Sequence, residues 1–187
     1  MVNISLIPSQ KIVLVKLGGI DIAANAMMLH PQNAEVQCRA LFALINLVIP
    51  STNLPENETK AIREQVGDVN DSTEKEMLDE AVVHIANLVV VCMKNFCGSE
   101  AILNRACLVL HNLSLNESYH RVLLWTPNCY QMLEWCIANY RSDVVLQRSA
   151  VGTLQRLQTT IANDDDLRLQ FVKMMQESIA AQHEREN

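Results

Sequence analysis

The stretch GGIDIAANAMMLHPQNAEVQCRALFALINL, residues 18–47, opens on two glycines and holds two amphipathic segments split by HPQN. Taken alone it reads as half of an ordinary globular domain, but it recurs along the chain. Displaced by 110 residues, VQCRALFALINL (36–47) falls on LQRSAVGTLQRL (146–157), matching Gln37 with Gln147, Ala40 with Ala150, Leu44 with Leu154 and Leu47 with Leu157. The same register carries SQKIVLVKLG (9–18) onto YHRVLLWTPN (119–128). A third copy, ILNRACLVLHNL (102–113), lies 66 residues after the first and 44 before the last. It pairs Arg39 with Arg105, Ala40 with Ala106, Leu44 with Leu110 and Asn46 with Asn112.

Each copy spells a helix whose apolar stripe returns every three or four residues. The stripes are Val36, Ala40, Leu44 and Leu47, then Ile102, Ala106, Leu110 and Leu113, then Leu146, Ala150, Leu154 and Leu157. A small Ala recurs at one place in the stripe, where two helices must approach closely. A shorter apolar helix precedes each copy, over 20–30, about 84–96 and 129–140, and short segments at 9–17 and 118–126 come before those. Three helices in 44 residues, repeated, predict a stacked α-solenoid. Composition agrees: 49% of residues are apolar but only 4% aromatic, and 5 Gly and 5 Pro are too few for the turns of an all-β fold. The 187 residues suffice for one domain.

LGGIDIAANAMM followed by AEVQCRALFALINL resembles the armadillo repeat. In that family a Gly-Gly turn joins a short first helix to a second, and a long third helix reads Ala-Leu-x-Ala-Leu-x-Asn-Leu. Ala40, Leu41, Ala43, Leu44, Asn46 and Leu47 match the third-helix pattern, while Arg156 stands where the last copy would have the Asn. HEAT repeats, with two helices rather than three, are the nearest confusable family. The resemblance implies one domain over 1–187, an all-α, right-handed α-solenoid of about three repeats (9–50, 73–116 and 117–162). The amphipathic segment at 164–183 reads as a helix that caps the stack or as the first helix of a further repeat.

The spacing of 66 in place of 44 calls for about 22 inserted residues, and 51–72 has no apolar stripe. Through Glu76 this stretch carries Glu56, Glu58, Glu64, Asp68, Asp71, Glu74 and Glu76 against Lys60, Arg63 and Lys75. It therefore reads as a long acidic surface loop with one helical turn near 58–66. A surface insertion is one reading of it; an acidic arm that contacts a partner is the other. Thr73 and Glu76 are spaced as a capping box for the apolar run that follows. That run has no Gly or Pro where the first copy has Gly18 and Gly19, so the first two helices of the middle repeat are expected to fuse. NDDD (163–166) supplies anionic caps for the last helix.

Charge, hydropathy and residue spacing exclude several function classes. A net charge of −6 opposes binding to a nucleic-acid backbone. The most apolar stretch, 81–93, is short and broken by His84 and Asn87, so no membrane span is expected. The first residues lack a basic lead and a clean apolar run, which predicts a cytoplasmic or nuclear protein rather than a secreted one. The six cysteines lie in apolar helical patterns without Cys-x-x-Cys and are expected to be reduced core thiols. Asn3, Asn57, Asn112 and Asn116 each start a glycosylation triplet, which without secretion is a chance match. His30, His84, His111, His120 and His183 form no metal-ligand spacing and no nucleophile pair, so no enzyme, metal or cofactor is expected.

What remains is binding. In the resembled family the third helices line a concave groove. Carried over by position, its partner-binding column takes Arg39, Phe42 and Asn46, then Arg105, Leu108 and Asn112, then Ser149 and Arg156. The residue four before the Asn, a Trp ladder in the nuclear-import adaptors, is here Phe42, Leu108 and Gly152. The Asn amides can donate and accept towards an extended peptide, or can bond neighbouring backbone and serve the fold. Arginines in the column suit carboxylates, so an acidic extended peptide or protein is the expected partner of a non-enzymatic scaffold. The alternative is a structural subunit or fragment of a larger repeat protein whose ends dock on further repeats.

Overall fold

The computed structural model describes residues 8–49 and 71–186, and within them there are helices and turns but no strand. The expected acidic loop at 51–72 lies outside the described residues up to 70, and its last two residues already belong to a helix. The helices are α1 (Pro8–Lys16), α2 (Gly19–Leu29), α3 (Ala34–Leu47), α4 (Asp71–Asn95) and α5 (Glu100–Leu113). After a 3₁₀ turn (Glu117–Tyr119) come α6 (His120–Trp125), α7 (Cys129–Asn139), α8 (Val144–Ala162) and α9 (Asp165–Glu186). No single helix among the described residues is long and apolar enough to cross a membrane.

The two opening glycines have separate jobs. Gly18 sits in the left-handed region at φ 79°, which a side chain disfavours, and there the path bends by 63° between α1 and α2. Gly19 has ordinary φ, but a Cβ on it would stand 2.7 Å from the Leu14 carbonyl oxygen. The repeat register places Asn128 at the position of Gly18, and Asn128 has φ 63°. Asn is the residue other than Gly that tolerates this conformation best.

The 110-residue repeat extends to individual hydrogen bonds. Asn33 caps α3 by accepting from the Val36 N–H at 3.1 Å, and Asp143 caps α8 by accepting from the Leu146 N–H at 2.9 Å. Gln37 donates through Nε2 to the carbonyls of Met27 (2.8 Å) and His30 (2.9 Å). Gln147 donates in the same way to Ile137 (2.9 Å) and Tyr140 (3.1 Å). A helix end leaves carbonyls without intrahelical donors, and a Gln amide with two N–H groups meets two of them at once. At the 66-residue offset, α3 and α5 have the same 14-residue length and begin at matching positions. There the Gln is replaced by the buried Leu103.

Neighbouring units are hooked together at these turns. Asn95 Nδ2 donates to the Pro31 carbonyl at 3.2 Å, and the Tyr140 hydroxyl donates to the Cys97 carbonyl, the counterpart of Pro31, at 2.5 Å. The third helices lie in one row, α3 on α5 and α5 on α8; the helices before them lie in another, α2 on α4 and α4 on α7. The core fills the space between the rows. Ala40, Ala106 and Ala150 are all buried there, as are Leu44, Leu110 and Leu154, as the stripes predict.

The structure departs from the sequence-based expectation at three places: the start of α4, Cys97 and the end of the last helix. The middle unit's first two helices are fused, as expected, into α4, but it starts at Asp71. Thr73 is thus inside the helix and is not its N-cap, because Asp71 and Ser72 before it are already helical. Cys97 is exposed rather than in the core, since it stands in the turn after α4. His84, within its apolar stretch, points outwards. The last helix runs further than 164–183, and Asp164 caps it by accepting from the Leu167 N–H at 2.9 Å while pairing with Arg121 at 2.7 Å.

Candidate functional site

The expected binding column lies on the outward side of the α3–α5–α8 row, and its members divide between surface and interior. On α3, Arg39 and Phe42 are exposed and Asn46 is half-buried. Arg39 pairs with Glu35 at 2.5 Å, an i, i+4 pair with both side chains mostly in solvent and worth little in stability. Asn46 Nδ2 donates to the Phe42 carbonyl on its own helix at 3.2 Å. On α5, Arg105 and Leu108 are half-buried. The Arg105 guanidinium stands over the Phe42 ring, 5.7 Å from its centroid, and donates to the Ala101 carbonyl at 3.0 Å. This cation–π contact bridges α3 and α5.

Asn112 and Ser149 are inside. Asn112 is 8% exposed, and its Nδ2 donates at 2.8 Å to the Ile45 carbonyl near the end of α3. Its amide therefore serves the fold, satisfying a carbonyl of the neighbouring third helix. Ser149 is 3% exposed, and its carbonyl accepts from the Thr153 hydroxyl at 2.8 Å. Neither presents a surface to a ligand. On α8 the exposed residue of that turn is Arg148, one position before the register of Arg39, while Gly152 and Arg156 keep the register of Phe42 and Asn46 and are half-buried.

Arg156 lies back along α8. Its Nη1 donates to the Gly152 carbonyl at 3.0 Å and stands 3.3 Å from both the Ser114 hydroxyl and His111 Nδ1. His111 Nδ1 is also 3.2 Å from the Ser149 carbonyl. These contacts exclude one another: a protonated Nδ1 donates to Ser149, and a bare Nδ1 accepts from Arg156. Burial, the Arg156 charge and, to a lesser degree, Arg148 push the His111 pKa below its usual value, against the Ser149 carbonyl, which favours the imidazolium.

Sequence reasoning missed Arg148 and His111. The signal for Arg148 was present, because Arg148, Gly152 and Arg156 are spaced at i, i+4 and i+8 and so share a ridge. The pairing pattern of the arginines is also distinctive. Arg39, Arg121 and Arg168 each pair with a carboxylate. Among the described residues Arg105, Arg148 and Arg156 have no carboxylate partner, and the same is true of Arg141 in the turn before α8.

Other groups with chemical potential have structural partners. His120 is buried, with Nε2 donating to the Ser114 carbonyl at 2.8 Å and Nδ1 2.6 Å from the Thr160 hydroxyl, so it joins α6 to α5 and α8. Cys92 and Cys129 are pushed up to about 12, in both cases chiefly by burial, and the Cys136 thiol and burial together raise Cys107. Thiols held protonated in this way are poor nucleophiles. No group of three or more potential metal ligands occurs among the described residues. A cavity of about 190 Å³ between α2 and α4 is apolar except for Gln37 and Asn95, whose amides are engaged with carbonyls. Compared with family models, curated proteins and solved structures, the chain matches none of them.

Proposed function

We propose that this chain is a non-enzymatic interaction scaffold, a short right-handed α-solenoid of armadillo-like units that takes an acidic extended peptide along the α3–α5–α8 face. Support for the stacked-unit reading comes from the recurrence of caps, glutamine bonds and left-handed turn residues at fixed offsets, and from the neighbour order within each helix row. The observation that carries the binding reading is the set of arginines without carboxylates. A chain of net charge −6 has acidic groups available, yet Arg105, Arg148 and Arg156 have no ion pair on this face. Guanidinium groups in such a state favour a ligand that brings its own carboxylates. Phe42, beneath the Arg105 guanidinium, and the half-buried Leu108 add apolar surface.

The test is fluorescence anisotropy with a labelled Asp/Glu-rich peptide, a Lys-rich peptide and a single-stranded oligonucleotide, on the full chain. The acidic peptide should bind, weaken with salt, and be lost in Arg105→Glu with Arg156→Glu at unchanged helicity and melting. Equal binding of the double variant refutes the site.

A second reading, a subunit docking end-on with further repeats, draws on Leu17 (66% exposed), Ile22 and Leu29 of the first unit. Sedimentation separates the two: a monomer across the accessible concentration range counts against self-docking.

A further inference from the structure

The ridge of α8 carries a local arrangement that a plain acidic peptide does not explain. Arg148 and Arg156 lie one turn to either side of Gly152, so two guanidinium-bearing side chains flank a position with no side chain. His111 of α5 faces that gap. A Cβ at Gly152 would stand 3.1 Å from His111 Cε1, 3.3 Å from Nδ1 and 3.5 Å from Arg156 Nη1, so the glycine is what lets the imidazole and the guanidinium come together. Arg156 is held there by the Gly152 carbonyl and the Ser114 hydroxyl, which itself donates to the His111 carbonyl at 2.8 Å. Arg148 is exposed and has neither ion pair nor hydrogen bond among the described residues. The charged groups acting on His111 are Arg156 and Arg148, both cations from α8, and no carboxylate opposes them. His111 Nδ1 is engaged by Ser149 and Arg156, whereas Nε2 has no partner among the described residues.

We infer that the Arg148–His111–Arg156 notch is a subsite for a phosphomonoester carried by the acidic peptide. The inference rests on the α3–α5–α8 face being that peptide's site. A carboxylate brings one charge and two acceptor oxygens, which leaves one guanidinium unmatched. A phosphomonoester brings about −1.5 to −2 charges at neutral pH and three acceptor oxygens, enough for two guanidinium forks and the imidazole Nε2–H. Burial and, after it, the Arg156 and Arg148 charges disfavour the imidazolium; a dianion in the notch offsets those charges, so occupation draws a proton onto the imidazole and adds a further charged donor.

The experiment compares two labelled acidic peptides, identical except that one serine is phosphorylated, for binding to the full chain. In parallel, the His111 imidazole is titrated by NMR with and without phenyl phosphate. The phosphorylated peptide should bind about tenfold more tightly or better, the equivalent of one charge-assisted contact. That advantage should vanish in Arg148→Gln, whose exposed side chain makes no folded contact, and persist in Arg39→Gln at the far end of the face. The His111 titration midpoint should rise on adding phenyl phosphate. Equal binding of both peptides overturns the subsite and leaves the scaffold reading standing. Failure of both peptides to bind refutes the scaffold reading and the subsite with it. A phosphate advantage that survives Arg148→Gln, or a His111 midpoint that does not move, overturns this placement of the phosphoryl group.

Discussion

Replacing Gln37 by Leu tests why the same glutamine recurs 110 residues later. The side chain is 2% exposed and donates to the Met27 and His30 carbonyls. Leucine keeps roughly the volume and removes both N–H groups. The His30 carbonyl still receives the Asn33 N–H at 3.1 Å, so only the Met27 carbonyl loses a donor outright. Two lost bonds at about 1 kcal/mol each, or one buried acceptor left unpaired at about 1–3 kcal/mol, give a loss of about 2 kcal/mol. The apolar gain of a buried Leu offsets part of it. In urea, monitored by far-ultraviolet circular dichroism, a slope of about 2 kcal/mol/M makes this a midpoint shift of about 1 M without a change of slope. Gln147→Leu removes the equivalent pair of bonds, but Gln147 is half-buried and its bonds are only partly buried, so water replaces them more readily. Its loss should be smaller and of the same sign. If both variants are neutral, or Gln147→Leu is the more damaging, satisfaction of the second-helix carbonyls is not what the recurring glutamine does.

Gly18→Ala should cost about 1 kcal/mol for its left-handed conformation, Gly19→Ala should cost more because its Cβ meets backbone at Leu14, and Asn128→Gly should be tolerated, all read as melting temperatures. Leu44→Ala and Leu110→Ala, both fully buried, should each lose about 2–5 kcal/mol in chemical denaturation; an unchanged midpoint for either would refute its place in the core. The folded pKa of His111 lies below the ordinary 6.5, so the unfolded chain takes up the proton first as pH falls. The stability from neutral His111 is complete above about pH 6.5 and declines as pH drops from there towards the folded value. His111→Gln should flatten that decline in a series of melts between neutral and mildly acidic pH, and an unaltered pH profile would show that the imidazole does not titrate as its surroundings dictate.

The amino-acid sequence by itself determined the helices and their recurrence, and the ends of those whose caps lie within the repeat, because these depend on groups close along the chain. Asn33 and Asp143 cap helices three residues ahead, Gln37 and Gln147 reach carbonyls seven and ten residues back, and Gly18 and Asn128 answer to their own backbone angles. Apolar stripes likewise show which side of each helix is buried, and Ala40, Ala106 and Ala150 lie in the core. Which residues of that row face outwards was decided only by the tertiary structure. Transferring positions from α3 to α8 assumed equal rotation of the helices about their axes, and that rotation is set by contacts between distant segments. Asn112 turns inwards to reach Ile45, 67 residues away, and His111 packs over Gly152 and towards Ser149, 38 residues from it. These contacts take Asn112 and Ser149 off the surface and bring Arg148 to it, beside an imidazole that no local spacing could have placed there, since a helix's azimuth is fixed by its neighbours' side chains and not by its own periodicity.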